Sequence, residues 1–185
     1  MLHTDINPTP LLNVKELDEV LNKRYSGIIF CFGTSLISRV IQAKTKIYED
    51  ELVPSHVALY YGDNIYESTT SEATVGYKRI KQGVRRWLIK DFIKAEYRKQ
   101  TKYVVFEVDY LEREKADEYV HLPYGKDTIL DFLLKDGSDG DSHGLICSQY
   151  ANLVLQILPN KKCPTPADLY RRIIQLTGGQ NNNND

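Results

Sequence analysis

The sequence predicts an α+β protein in which an antiparallel sheet packs against helices. Two segments with strand character, 56–61 and 65–68, are separated by the turn residues 62–64 (Gly-Asp-Asn), which is typical of a β-hairpin. The run 103–108 predicts a further strand, and helix-start signals recur along the chain. Strands and helices in this mixed order favour the α+β class.

Length and composition indicate one globular domain. The chain has 185 residues, of which 42% are hydrophobic and 26% charged, enough to bury a core of its own. We expect this domain to span 1–177, with an irregular start over 1–12 and a disordered, Asn-rich tail over 178–185. Residues 1–15 lack a signal-peptide pattern and no apolar run approaches about 20 residues, so the sequence predicts a cytoplasmic protein.

Capping signals place the first helices. Asn13 followed by Glu16 is a capping box and predicts a helix to about residue 23. The apolar run 27–32 predicts a strand, in which Cys31 is expected to be a small buried side chain rather than a second reactive thiol. Residues 33–35 (Gly-Thr-Ser) lead into another helix. Their free amides could hold an anion, but capping is the interpretation that we favour.

The remaining elements follow from periodicity and turn residues. An extended segment is expected from 75 to 87, and the last helix begins at Thr165, which is followed by a proline and an acid. Further helices are predicted over 88–97, 111–120, 127–134 and 145–158. Cys163 precedes the last helix and has no evident role. Three widely spaced cysteines make no disulfide framework and indicate free thiols in a reducing compartment.

The register of the hairpin decides whether His56 and Glu67 project from the same face of the sheet. A loop of two or four residues places them on one face, because strand side chains alternate with period two, and a loop of three does not. Even loops are the commoner choice. Taken singly, His56 is an ordinary strand histidine and Glu67 a polar residue on a half-exposed strand.

Cys147 lies in the first turn of a helix that is apolar almost all round. Such a helix is buried, so this cysteine could belong to the core. The helix dipole and free amides of a first turn, however, favour a thiolate and can stabilise an oxyanion. His143, four residues upstream, is a rival base or, with Cys147, half of a zinc site, although two ligands alone do not indicate zinc.

Two charged segments have alternative interpretations. Residues 77–102 carry ten basic and two acidic residues, a charge of +8 in a chain of net charge -1, which suits an anionic surface. The alternative that we favour is a solvated helix face with its loops, and we expect no specific nucleic-acid binding from it. Residues 136–141 are acidic and glycine-rich, but they lack the spacing of a calcium loop.

These residues together resemble a known family. Ser55-His56-Val57-Ala58, then Tyr66-Glu67, then Ile146-Cys147-Ser148-Gln149, and finally 165–169 (Thr-Pro-Ala-Asp-Leu) resemble the YiiX-like branch of the NlpC-type cysteine hydrolases. The resemblance covers about 27–172, nearly the whole domain. It implies a circularly permuted papain-like fold, with a partly barrel-like antiparallel sheet and the histidine-bearing sheet ahead of the cysteine-bearing helix.

The resemblance also implies a function. Cys147 would be the nucleophile, His56 its general base and Glu67 the residue that orients the imidazole, with no cofactor and no metal. The expected reaction is hydrolysis of an amide or peptide bond, in a cell-wall peptide for example, through an acyl-enzyme. One alternative is a lipid-directed acyl hydrolase or acyltransferase with the same triad. Another is a catalytically silent binding module on the same fold.

Overall fold

The computed structural model describes residues 8–75, 77–109, 111–126 and 144–178. Within them the chain forms six helices and seven strands. The helices are α1 (Val14–Leu21), α2 (Leu36–Thr45), α3 (Ile89–Glu96), α4 (Arg113–Glu118), α5 (Cys147–Leu155) and α6 (Pro166–Gly178). The strands are β1 (Ser26–Phe32), β2 (His56–Tyr61), β3 (Asn64–Thr69), β4 (Ala73–Val75), β5 (Lys78–Ile80), β6 (Gly83–Leu88) and β7 (Lys102–Glu107).

Five strands form one antiparallel sheet in the order β6-β3-β2-β1-β7, and β4 pairs with β5 in a separate two-stranded ribbon. The predicted α+β class is therefore confirmed. The expected partial barrel is wrong, because the sheet is open between β6 and β7. Other backbone satisfies these edges instead: β7 bonds to Thr9 and Leu12, and Val84 of β6 bonds to His121 and Leu122.

The sheet is covered on both faces because apolar side chains along its strands project alternately to one face and the other. Ile28 and Phe30 of β1 belong to the core beneath α5 and α6, together with Tyr150 and Leu169. Ile29, the residue between them, belongs to a second core, which α1 and α3 close with the side chains of Leu17, Leu21, Phe92 and Ile93. A strand buried on both faces is apolar throughout, as β1 is.

Most predicted elements lie within a few residues of their expected positions. The capping box on α1 is confirmed: Asn13 Oδ1 accepts from Lys15 N and Glu16 N, and Glu16 Oε2 accepts from Asn13 N. Ser35 caps α2 by accepting from Ser38 N at 3.1 Å. The segment expected to be extended over 75–87 is three short strands, and Gly178, expected in the tail, ends α6.

Several of the sequence predictions lie outside the described residues. They are the helix over 127–134, the acidic loop over 136–141, the rival base His143, the disordered tail beyond residue 178 and the first seven residues of the irregular start. Among the residues that are described, no helix is long and apolar enough to cross a membrane.

Candidate active site

The hairpin of β2 and β3 places His56 and Glu67. Its register pairs Leu59 with Tyr66 and Tyr61 with Asn64, as the two-residue loop requires, so the two side chains share a face. His56 Nε2 lies 2.7 Å from Glu67 Oε2. Glu67 is only 3% exposed, so the interpretation of a half-exposed polar residue is wrong.

Arg85 completes this group of charges, and sequence reasoning missed it. β6 pairs with β3 so that Arg85 lies directly opposite Glu67. Its Nε and Nη2 both donate to Glu67 Oε1, at 3.0 and 2.7 Å, and its Nη1 donates to Ser71 O at 2.9 Å. The guanidinium also lies 4.2 Å from the ring centroid of Trp87. Arg85 therefore contacts one oxygen of the Glu67 carboxylate, and His56 contacts the other.

Cys147 is the first residue of α5, as expected, and it is buried. The turn before it is fixed by neighbouring backbone: Leu145 N donates to Pro123 O at 3.1 Å, and Ser68 Oγ donates to Leu145 O. At Gly144 a Cβ atom would come within 2.6 Å of the Pro123 carbonyl oxygen. Only glycine allows this close approach of residue 144 to Pro123.

His56 and Cys147 come from different layers and meet at one end of the sheet. His56 is the first residue of β2 and Thr69 the last of β3, so the strand ends that carry the site lie together. Burial lowers the pKa of His56, but the charge and hydrogen bonds of Cys147 and Glu67 outweigh it and raise that pKa to about 10. These two partners favour the protonated form of the imidazole.

Glu67 carries the balancing negative charge. Burial raises its pKa, but the hydrogen bond from His56 and the charge of Arg85 have the larger effect, and together they bring the pKa to about 2. A carboxylate with two cationic partners in a buried position stays ionised. The site therefore holds two positive side chains on one carboxylate, with Cys147 beyond the histidine.

A cavity of about 710 Å³ opens onto Cys147 and His56. Its walls also include Cys31, Tyr124 and Cys163, of which sequence reasoning gave none a place in the site. Cys31 is buried, as expected, and lies opposite His56 in the β1–β2 register. Its burial raises its pKa well above the usual range, so this thiol is neutral at pH 7.

The cysteines and histidines do not form a metal site in the part of the chain that the structure describes, since no group of three or more histidine, cysteine or acidic side chains there could hold an ion. The basic segment 77–102 is not one helical face, because it runs through β5, β6, α3 and the start of β7. Several of its cations are paired with carboxylates: Arg79 with Glu72, Arg85 with Glu67, Arg86 with Asp117 and Lys99 with Glu96.

Comparisons of the chain with protein-family models, with curated proteins and with solved structures found no match.

Proposed function

We propose that this protein is a cysteine-nucleophile hydrolase that cleaves an amide or peptide bond through an acyl-enzyme, with Cys147 as nucleophile. The observation that carries the proposal is the line of contacts from Cys147 through His56 to Glu67. The raised pKa of His56, about 10, gives an imidazolium beside the thiol. An imidazolium stabilises a thiolate, which is the nucleophilic form of cysteine.

In the proposed reaction, the Cys147 thiolate attacks the carbonyl carbon of the substrate. The protonated ring of His56 then donates its proton to the departing amine, and the neutral ring accepts a proton from the water that hydrolyses the acyl-enzyme. Glu67 holds Nε2 of this ring at 2.7 Å, which leaves Nδ1 for the thiol. The Glu67 carboxylate thereby orients the ring and stabilises the imidazolium, as the third member of a triad does.

The permuted papain-like fold is part of the same proposal. It is supported by the chain order, in which the sheet with His56 precedes the helix that begins at Cys147, and by the contacts of α5 with β2 and β3. The sheet is open, so the proposal concerns the arrangement of helix and sheet around the site and not a closed barrel.

The test is alkylation of the three cysteines by iodoacetamide between pH 4 and 9, quantified for each cysteine by mass spectrometry. We expect Cys147 to be labelled much faster than Cys31 and Cys163 at pH 6, and to lose this advantage in His56→Ala. His121→Asn is the matched control, because His121 is an exposed histidine away from the cavity and asparagine tolerates its positive φ of 83°.

Turnover gives the second measurement. Cys147→Ala and His56→Ala should each abolish hydrolysis while circular dichroism shows the native fold. Full hydrolytic activity in Cys147→Ala would contradict the mechanism. Equal labelling rates for Cys147 and Cys163 at every pH would instead favour the silent binding module.

A further inference from the structure

The cavity has two chemically different kinds of wall. Apolar surface comes from Ile37 and Ile41 of α2 and from Pro164. Polar surface comes from Arg98 and residues 100–101. A volume of about 710 Å³ is within the range of cavities that enclose a whole small ligand. Recognition at this site therefore involves an apolar and a polar part of one molecule.

The apolar wall continues onto the outside of the protein. Leu36, Ile37 and Val40, called here the α2 strip, are 78%, 57% and 39% exposed. Ile37 belongs both to this strip and to the wall of the cavity that opens onto Cys147, so the apolar surface of the cavity continues onto the strip. Large apolar side chains grouped at the mouth of a cavity are typical of a surface that binds an apolar partner.

The polar wall carries a positive charge that no described carboxylate balances. Lys99 is paired with Glu96 at 2.6 Å, whereas Arg98 is exposed and has no ion-pair partner within the described residues. A guanidinium on a cavity wall with no ion-pair partner among the described residues suits a carboxylate or phosphate group of a ligand, which it can bind with two parallel hydrogen bonds.

We propose that the substrate is an anionic amphiphile: an acyl compound with an apolar chain that lies along the α2 strip and an anionic group that faces Arg98. This inference rests on the proposed function and names the substrate class of the same site. In the reaction, the Cys147 Sγ–carbon bond forms as the bond from the acyl carbon to its leaving group breaks, and the His56 proton goes to that group. Water then releases the acid and returns the proton.

The test uses three alkylating agents that need no turnover: iodoacetamide, N-hexyliodoacetamide and iodoacetate, each calibrated against free glutathione. We expect the hexyl reagent to label Cys147 about tenfold faster than iodoacetamide, which corresponds to partial burial of its chain. Ile37→Asn should remove most of that gain, measured as the ratio of the hexyl-reagent rate to the iodoacetamide rate in the same variant. Leu153→Asn is the control, since Leu153 is exposed on α5 and lies outside the cavity wall.

The anionic part has its own measurement. Arg98→Gln should lower the ratio of the iodoacetate rate to the iodoacetamide rate by about threefold or more, the size of a weak charge interaction at an exposed site. Lys102→Gln is its control, because Lys102 is an exposed cation that does not line the cavity. N-lauroylglycine should slow labelling of Cys147, and N-acetylglycine should not.

The outcomes separate the two proposals. Cys147 could be reactive but be labelled no faster by the hexyl reagent, or Ile37→Asn and Arg98→Gln could leave the rate ratios unchanged. Either result would overturn the assignment of an amphiphilic substrate and leave the hydrolase proposal standing. If Cys147 is unreactive toward all three reagents, the hydrolase proposal itself fails. If the protein dimerises and Ile37→Asn makes it monomeric, a second copy covers the α2 strip and the substrate assignment is overturned.

Discussion

Two glutamates, each held by one arginine, behave differently because of how their oxygens are used. On the surface, Arg171 Nε donates to Glu51 Oε1 at 2.7 Å and its Nη2 to Oε2 at 2.8 Å. In the site, both contacts from Arg85 go to one oxygen of Glu67. The hydrogen bond from Arg171 lowers the pKa of Glu51 to about 2, the same value that Glu67 has.

The Glu51–Arg171 ion pair and the Glu67–Arg85 ion pair differ in what else their carboxylates contact. The Glu51 carboxylate also accepts from Ile47 N at 2.8 Å, so this contact closes the turn after α2, and the two contacts from Arg171 tie that turn to α6. Glu67 keeps Oε2 for His56, 2.7 Å away. The two carboxylates therefore have equal pKa values but different roles. Only in the buried pair does a carboxylate oxygen that the arginine leaves free contact a titratable ring.

The largest effect is expected when each carboxylate is neutralised. Glu67→Gln leaves the buried Arg85 charge uncompensated and should lower the free energy of unfolding by about 3 to 5 kcal/mol, while hydrolysis falls but persists because the amide can still orient the ring. Glu51→Gln, the matched change in a half-exposed pair, should cost about 1 kcal/mol or less. Urea unfolding and turnover measure both. Equal losses in the two variants would contradict the distinction.

Removal of the arginines should sharpen the comparison. Arg85→Met frees Glu67 to shift, and a displacement of about 1 Å at a catalytic group can cost on the order of 100-fold in rate. Because Arg85 also keeps Glu67 ionised, the acid limb of the activity profile should move toward neutral pH in this variant. Arg85→Lys should restore that limb in part.

Arg171→Met is the control for this pair, and it should leave both kcat and the pH profile unchanged. An unshifted acid limb in Arg85→Met would show that this arginine acts only on stability.

The last comparison is the dependence of stability on pH. Glu67, with a folded pKa lowered to about 2, stabilises the fold above its unfolded value near 4.5, and this contribution is lost as pH falls toward 2. His56, raised from 6.5 to about 10, contributes fully below pH 6.5, and its contribution is lost as pH rises through 10. Urea midpoints over pH 2 to 10 measure both slopes.

Each slope should respond to its own variant. Glu67→Gln should flatten the acid slope more than Glu51→Gln does, since solvent screens the half-exposed pair. Cys147→Ala should flatten the alkaline slope, because Cys147 supplies part of the rise in the pKa of His56. An alkaline slope that is identical in Cys147→Ala would mean that the two side chains are not coupled.

The contrast between His56 and Arg85 explains how much of the site the sequence could predict. His56 and Glu67 belong to one tight hairpin, so alternation and loop length suffice to put them on one face. Arg85 reaches Glu67 through the pairing of β3 with β6. These two strands are neighbours in the sheet, but the ribbon of β4 and β5 separates them along the chain. Sequence alone counted Arg85 among the surface charges, because no local pattern sets a long-range register.

Loop geometry limited prediction in the same way. The capping boxes and strands follow from residues that are close together in the chain, and they were predicted within a few positions. Cys163 lines the cavity because the segment before α6 folds back over the site, which no periodicity encodes. The partial barrel failed for a related reason: Leu12 and Leu122 bond to the edge strands, and such contacts have no signature in composition.

Those edge contacts have a consequence for how the protein meets other chains. Thr9 and Leu12 use the outward-facing backbone groups of Tyr103 and Val105, and His121 and Leu122 use those of Val84. At these positions a peptide cannot extend the sheet by adding a strand, which is a common route both to peptide capture and to fibril formation. The substrate that we propose would then be selected by side chains and not by strand addition, and self-association through strand addition is blocked where these segments lie.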